Sequence, residues 1–184
     1  MADLFINEKT IFKVAQLGHP ILRKTAEPVT PEELADPRTA NFIDSLIATM
    51  REYSGAGLAA PQVHVSRQLL AIESQANPRY PEGEDIPLTI LINPEITSFS
   101  ETLEEGWEGC LSLKDLWGRV KRSDEITVEA LTREGKKTTI NAKGFYAVVL
   151  QHEIDHLHGK LFVDRMDDMS TLCFTTEYNR YKSP

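Results

Sequence analysis

Cysteine is scarce in this chain of 184 residues. There are two, Cys110 and Cys173, too few for a disulfide framework, so each has to be explained as core, ligand or nucleophile. Long apolar runs are missing as well: the most apolar stretches, 88–92 and 147–150, fall far short of the roughly 18 residues that span a bilayer. Positive charge is in deficit, with 20 Lys and Arg against 28 Asp and Glu and a net charge of -8, so a broad basic footprint for nucleic acid is absent. The opening residues carry Asp3 and Glu8 and lack a basic segment leading into an apolar one, as an export signal would have. These absences lead to the expectation of a cytoplasmic protein that binds neither nucleic acid nor membrane. The length, with 41% hydrophobic and 26% charged residues, suits one domain spanning 1–184.

What is present falls into an ordered series. Pro20, Pro28, Pro31 and Pro37 make 17–37 read as an extended arm. From about Arg38, the residues Phe42, Ile43, Leu46, Ile47 and Met50 recur at helical spacing as far as Gly55-Ala56-Gly57, predicting an amphipathic helix. Short β-rich runs follow at 69–73, 89–93, 96–99, 126–131 and 138–142, with 75–87 reading as an exposed loop. The order helix, strands, helix favours an α+β fold, with short antiparallel sheets around a central helix. That second helix is 144–158, where Phe145, Val148, Val149, His152 and His156 share one face and Gly159 stands at the C-cap; Asp155 and His158 are expected on its outer face.

The segment His152-Glu153-Ile154-Asp155-His156 is an H-E-x-x-H pattern. Histidines at i and i+4 lie one turn apart and can reach one ion, and Glu153 can then reach a water there. A catalytic centre needs a third protein ligand. The extended metalloprotease pattern is excluded, because its last ligand position holds Phe162. Glu177, on a later segment, is one candidate; Cys110 in Glu108-Gly109-Cys110-Leu111-Ser112 is another, giving a soft set suited to Zn²⁺ or Fe²⁺. Cys173 reads as core, as does Trp107.

Three segments together, 55–62 (GAGLAAPQ), 108–112 (EGCLS) and 151–157 (QHEIDHL), resemble the three signature motifs of the peptide deformylases, in that family's order. The resemblance covers about 12–166, leaving a tail, 167–184. It implies removal of the N-formyl group from the initiator methionine of nascent polypeptides, with Fe²⁺ the usual ion and Zn²⁺ used by some members. By the same resemblance Cys110, His152 and His156 are metal ligands, Glu153 is the general acid/base, and Gln62 and the Leu111 N–H are oxyanion donors. Gly57 and Gly109 would face substrate, with Phe145, Val148 and Val149 lining a methionine pocket. The glycines at 55 and 57 are read as room for a passing peptide. The chain departs from the family pattern at Leu113, Lys114, Asp115 and Trp117, which is expected to alter the rim of the site. The tail lacks the long basic helix of some relatives, so no ribosome-docking element is expected. A non-catalytic relative is a further alternative; Glu153 and Gln62, which a purely structural metal site does not need, speak against it.

Overall fold

The computed structural model describes residues 9–75 and 84–181. Its fold is α+β. A five-stranded antiparallel sheet has the order β1-β2-β3-β6-β7, formed by Gly57–Ala59, Leu69–Ser74, Ile86–Phe99, Glu125–Leu131 and Lys137–Lys143. A second sheet consists of the hairpin β4 (Leu103–Cys110) and β5 (Leu113–Ser123), with the two-residue β8 (Cys173–Phe174) on its far side.

Strand β2 shows how one sequence serves two layers. Its side chains alternate between faces, and Leu69 and Ala71 join one apolar cluster while Leu70 and Ile72 join another. The first cluster contains Ile43, Leu46, Ile47 and Met50 of helix α2 (Pro37–Glu52). The second contains Ala147, Leu150, Ile154 and Leu157 of helix α3 (Gly144–Leu157). The two helices therefore cover opposite faces of the larger sheet. Helix α2 is capped by Asp36, whose side chain accepts from the Arg38 N–H. A cap contributes about 1 kcal/mol, whereas each buried aliphatic side chain contributes about 1.5–3 kcal/mol, so packing holds this helix in place.

The structure corrects several expectations. The arm at 17–37 contains a 3-10 turn, Pro20–Arg23, and a short helix α1, Pro31–Ala35. Proline suits a first helical turn, and Thr30 and Glu33 form a reciprocal capping box whose signature was legible in T-P-E-E. The runs 89–93 and 96–99 belong to one strand, which accommodates Pro94 within a register shift between Ile92 and Glu95. That strand begins at Ile86, inside the stretch read as a loop, and 76–83 lie outside the described residues. The β4–β5 hairpin was not foreseen, because β4 (LEEGWEGC) is rich in glutamate and glycine.

Asp155 is a further correction, being buried while His158 is exposed. Arg122 of β5, itself buried, reaches both Glu108 on β4 at 2.8 Å and Asp155 on α3 at 2.6 Å. Arg165 reaches the other oxygen of Asp155. Gln151 adds a neutral clamp to the same seam, accepting from the Ser123 N–H and donating to the Ser123 carbonyl. The hairpin is thus fastened to α3 by buried polar groups. Replacing Arg122 by methionine leaves Glu108 and Asp155 buried with His152 and Arg165 as their remaining charged partners among the described residues. Urea unfolding of the metal-free R122M protein is expected to show a loss of about 3–5 kcal/mol; a loss below about 1 kcal/mol would mean that the seam does not depend on this cation.

Candidate metal centre

Two elements bring the candidate ligands together. Cys110 ends β4, immediately before the Leu111-Ser112 turn of the hairpin, and His152 and His156 stand one turn apart on α3. Their ligand atoms all lie within 4.8 Å of one another, with Cys110 Sγ 3.3 Å from His156 Nε2. His152 Nδ1 is 2.8 Å from Glu108 Oε2. That carboxylate fixes the ring and leaves Nε2 to face the centre, the usual arrangement for a ligating histidine. Glu177 is exposed on α4 (Thr175–Tyr181) and pairs with Arg180, so it is not part of this cluster. Phe162 is buried with its ring 6.5 Å from that of His152.

The electrostatics follow from crowding charge into a dry place. Burial works to raise the Cys110 thiol, but the charge of His156 and hydrogen bonding to both imidazoles outweigh it and hold the thiol well below its ordinary range. Burial likewise opposes ionisation of Glu108, yet hydrogen bonds from His152 and Arg122 bring it down to about 2. Glu153 has no such support: burial pushes its carboxyl upward, and the nearby His152 and His156 only partly offset this. Glu153 Oε2 and His156 Nδ1 are buried without a hydrogen-bond partner among the described residues. A thiolate and two imidazole nitrogens within 4.8 Å of one another make a donor set that fits a divalent cation, and the orphaned Glu153 carboxylate belongs to the cavity beside it.

Gln62 sits in the 3-10 turn Ala60–Val63 that follows β1. Its Oε1 accepts from the Ala59 N–H at 2.8 Å, which fixes the amide orientation, so Nε2 is the atom turned toward Ser112 Oγ at 3.2 Å and Cys110 Sγ at 3.6 Å. A donor is therefore aimed at the centre. A cavity of about 160 Å³ opens here, lined by Gly57, Gln62, Gly109, Cys110, Leu111, His152 and Glu153. Phe145, Val148 and Val149 form its apolar wall. Trp107, read from sequence as core, is half-buried and lines this cavity too. Cys173, also read as core, is only partly buried, on β8. Lys114 and Asp115 are exposed and are not among the lining residues, whereas Leu113 and Trp117 are buried.

Glu108 and Ser112 stand in a sequence motif that gave neither of them a task, and Arg122 had no expected role in the site. A strand period of two, placing Glu108 on the side of Cys110, was the available signal for the first. The reason for Gly57 also changes: a Cβ there would stand 2.5 Å from Glu153 Oε1 and 2.6 Å from its Cγ. The glycine makes room for the carboxylate, not only for a passing peptide. Gly57→Ala is expected to displace Glu153 in a crystal structure and to cost about 1–3 kcal/mol in urea unfolding. An unmoved carboxylate would refute this account of the glycine.

Residues 11–171 match the family model described as polypeptide deformylase. Peptide deformylase 1 of Prochlorococcus marinus is 43% identical over 166 residues, covering 90% of this chain and 85% of that protein. Peptide deformylase 2 of Pseudomonas putida is 40% identical, covering 88% and 91%. A crystal structure of a class I type b peptide deformylase from Acinetobacter baumannii, described as bound to Met-Ala-Ser, superposes with a TM-score of 0.83 at 40% identity, covering 86% of this chain and 99% of that one. Sequence, fold and the convergence of Cys110, His152 and His156 agree: this chain belongs to the peptide deformylase family.

Proposed function

We propose that the chain hydrolyses the formyl amide at the N-terminal methionine of newly made polypeptides, releasing formate, with Glu153 as its general acid/base. The observation that carries this assignment of roles is the buried Glu153, whose Oε2 has no partner among the described residues, in a cavity lined also by Gln62 and by Cys110 and His152 of the Cys110, His152 and His156 cluster. Cys110, His152 and His156 would hold one divalent cation, Fe²⁺ by the habit of the family, with Zn²⁺ as the alternative. When bound, such an ion supplies Lewis acidity and makes an attacking water more acidic.

The remaining steps belong to the protein. Glu153 accepts a proton from the water that attacks the formyl carbon. Gln62 Nε2 and the Leu111 N–H donate to the oxygen as it becomes an oxyanion, and fixed donors of this kind are each worth about 3 kcal/mol of barrier. As the C–N bond breaks, Glu153 returns its proton to the nitrogen, giving formate and a free amine. Phe145, Val148 and Val149 would receive the methionine side chain, and the backbone at Gly57 and Gly109 would hold the peptide beside it. The Met-Ala-Ser in the Acinetobacter structure is carried over as the product expected from formyl-Met-Ala-Ser. We take the whole chain as one domain working in the cytoplasm, where such nascent chains emerge; among the described residues no helix is long and apolar enough to cross a membrane.

Protein purified without air and loaded with metal is expected to release formate from formyl-Met-Ala-Ser. Glu153→Gln should lower kcat by about 10²–10⁴-fold with metal content unchanged. Absence of formate with the wild-type protein would overturn the function, and a wild-type kcat in E153Q would remove Glu153 from it.

A further inference from the structure

Three consecutive residues near the start of the described chain reach both residues that carry a proposed oxyanion donor. The Ala15 N–H donates to the Gln62 carbonyl at 2.7 Å, and the Leu17 N–H donates to the Ser112 carbonyl at 2.7 Å. Between them, Gln16 Nε2 donates to the Leu111 carbonyl at 3.1 Å and to the Val14 carbonyl at 3.2 Å. Both partners are carbonyl oxygens, so the atom facing them has to be the amide nitrogen. Gln62 Nε2 in turn donates to Ser112 Oγ, which closes a ring of hydrogen bonds through 15–17, 62 and 112. This strap is itself anchored. The Phe12 N–H donates to Thr49 Oγ1 on α2, and Ala15 is buried in the apolar cluster that contains Cys110 and Leu113.

Leu111 and Ser112 form the two-residue turn between Cys110 and Leu113, which face each other across the hairpin. The turns whose twist suits so short a hairpin require positive φ, and neither Leu111 nor Ser112 has it. Strand pairing alone therefore does not dictate how this turn faces the centre, and the strap takes the carbonyls of both turn residues. We infer that Gln16 is a positioning residue for the two proposed oxyanion donors: it acts through Leu111, fixing that residue's N–H relative to Gln62 Nε2. Gln16 is exposed and lies outside the residues that line the cavity, so its effect on the reaction is indirect. The oxyanion role of the two donors rests on the deformylase reading; the strap does not.

The test measures formate release from formyl-Met-Ala-Ser by three proteins: wild type, Gln16→Met, which keeps the side-chain length and removes the donor, and Gln16→Lys, which restores a donor. Removing an oxyanion donor outright lowers kcat by about 10²–10³-fold. Gln16→Met displaces a donor without removing it, and is expected to lower kcat by about 5–30-fold, with KM within about twofold and metal content unchanged. That split marks an interaction made only in the transition state. Gln16→Lys is expected to stay within about threefold of wild type. A Gln16→Met kcat within about twofold of wild type, or a Gln16→Lys kcat as low as that of Gln16→Met, would overturn the inference. Amide hydrogen exchange of the zinc-loaded protein gives a readout without turnover. The Leu17 and Ser112 N–H groups, which donate to the Ser112 carbonyl and to Cys110 Sγ, should exchange about 3–10-fold faster in Gln16→Met, the effect of losing one ordinary hydrogen bond, while the amides of α3 keep their rates. Unchanged exchange at Leu17 and Ser112 would overturn the strap. Wild type that releases no formate would count against the deformylase reading, and the exchange rates then still decide the strap. Formate release with a wild-type kcat in Gln16→Met would keep that reading and remove Gln16 from it.

Discussion

The site depends on one constraint: Arg122 is buried between two carboxylates and has to stay there. A guanidinium removed from water is tolerable only when its charge is matched and its donors are used. Glu108 takes two of those donors and Asp155 a third. Because Glu108 lies on the hairpin and Asp155 on α3, satisfying the arginine fixes one element against the other. Glu108 also holds Nδ1 of His152. A charge-balance requirement thereby becomes the orientation of a candidate ligand, and it acts on the two elements that bring Cys110 and the histidines together.

The larger sheet supplies the other half of the centre. Strand β1 and the 3-10 turn after it carry Gly57 and Gln62 to the α3 face, where the glycine leaves space for Glu153 and the glutamine turns its amide toward Cys110. Both contacts are tight, and both come from backbone geometry that packing against the core settles. The proposed acid/base and the proposed oxyanion donor are held by the scaffold and not by a loop, which suits a reaction that needs preorganised donors.

Much of this was legible in the sequence, for reasons that differ by residue. Helical spacing displayed α2, and the i, i+4 histidines announced themselves on α3. Cys110 could not be chosen over Glu177 from spacing alone, since the choice depends on where a hairpin turns; it took the neighbouring motif residues to point to it. The hairpin stayed hidden because Gly106 and Gly109 and the glutamates of β4 have poor strand propensity, and the pairing with β5 overrides that. Asp155 read as a surface residue because its partner, Arg122, lies 33 residues away, and long-range charge pairing leaves no local pattern. The arm at 17–37 was misread where prolines start helical turns instead of preventing them. The tail looked featureless because its contribution, Tyr178 between Trp107 and Trp117, joins three distant positions.

The central claim is that Cys110, and not an oxygen ligand, completes the metal set with His152 and His156. X-ray absorption at the metal edge of protein prepared without air addresses it directly. The account predicts one sulfur neighbour, at about 2.3 Å if the ion is zinc, together with imidazole nitrogens at about 2.0–2.1 Å. A first shell made only of nitrogen and oxygen would contradict it.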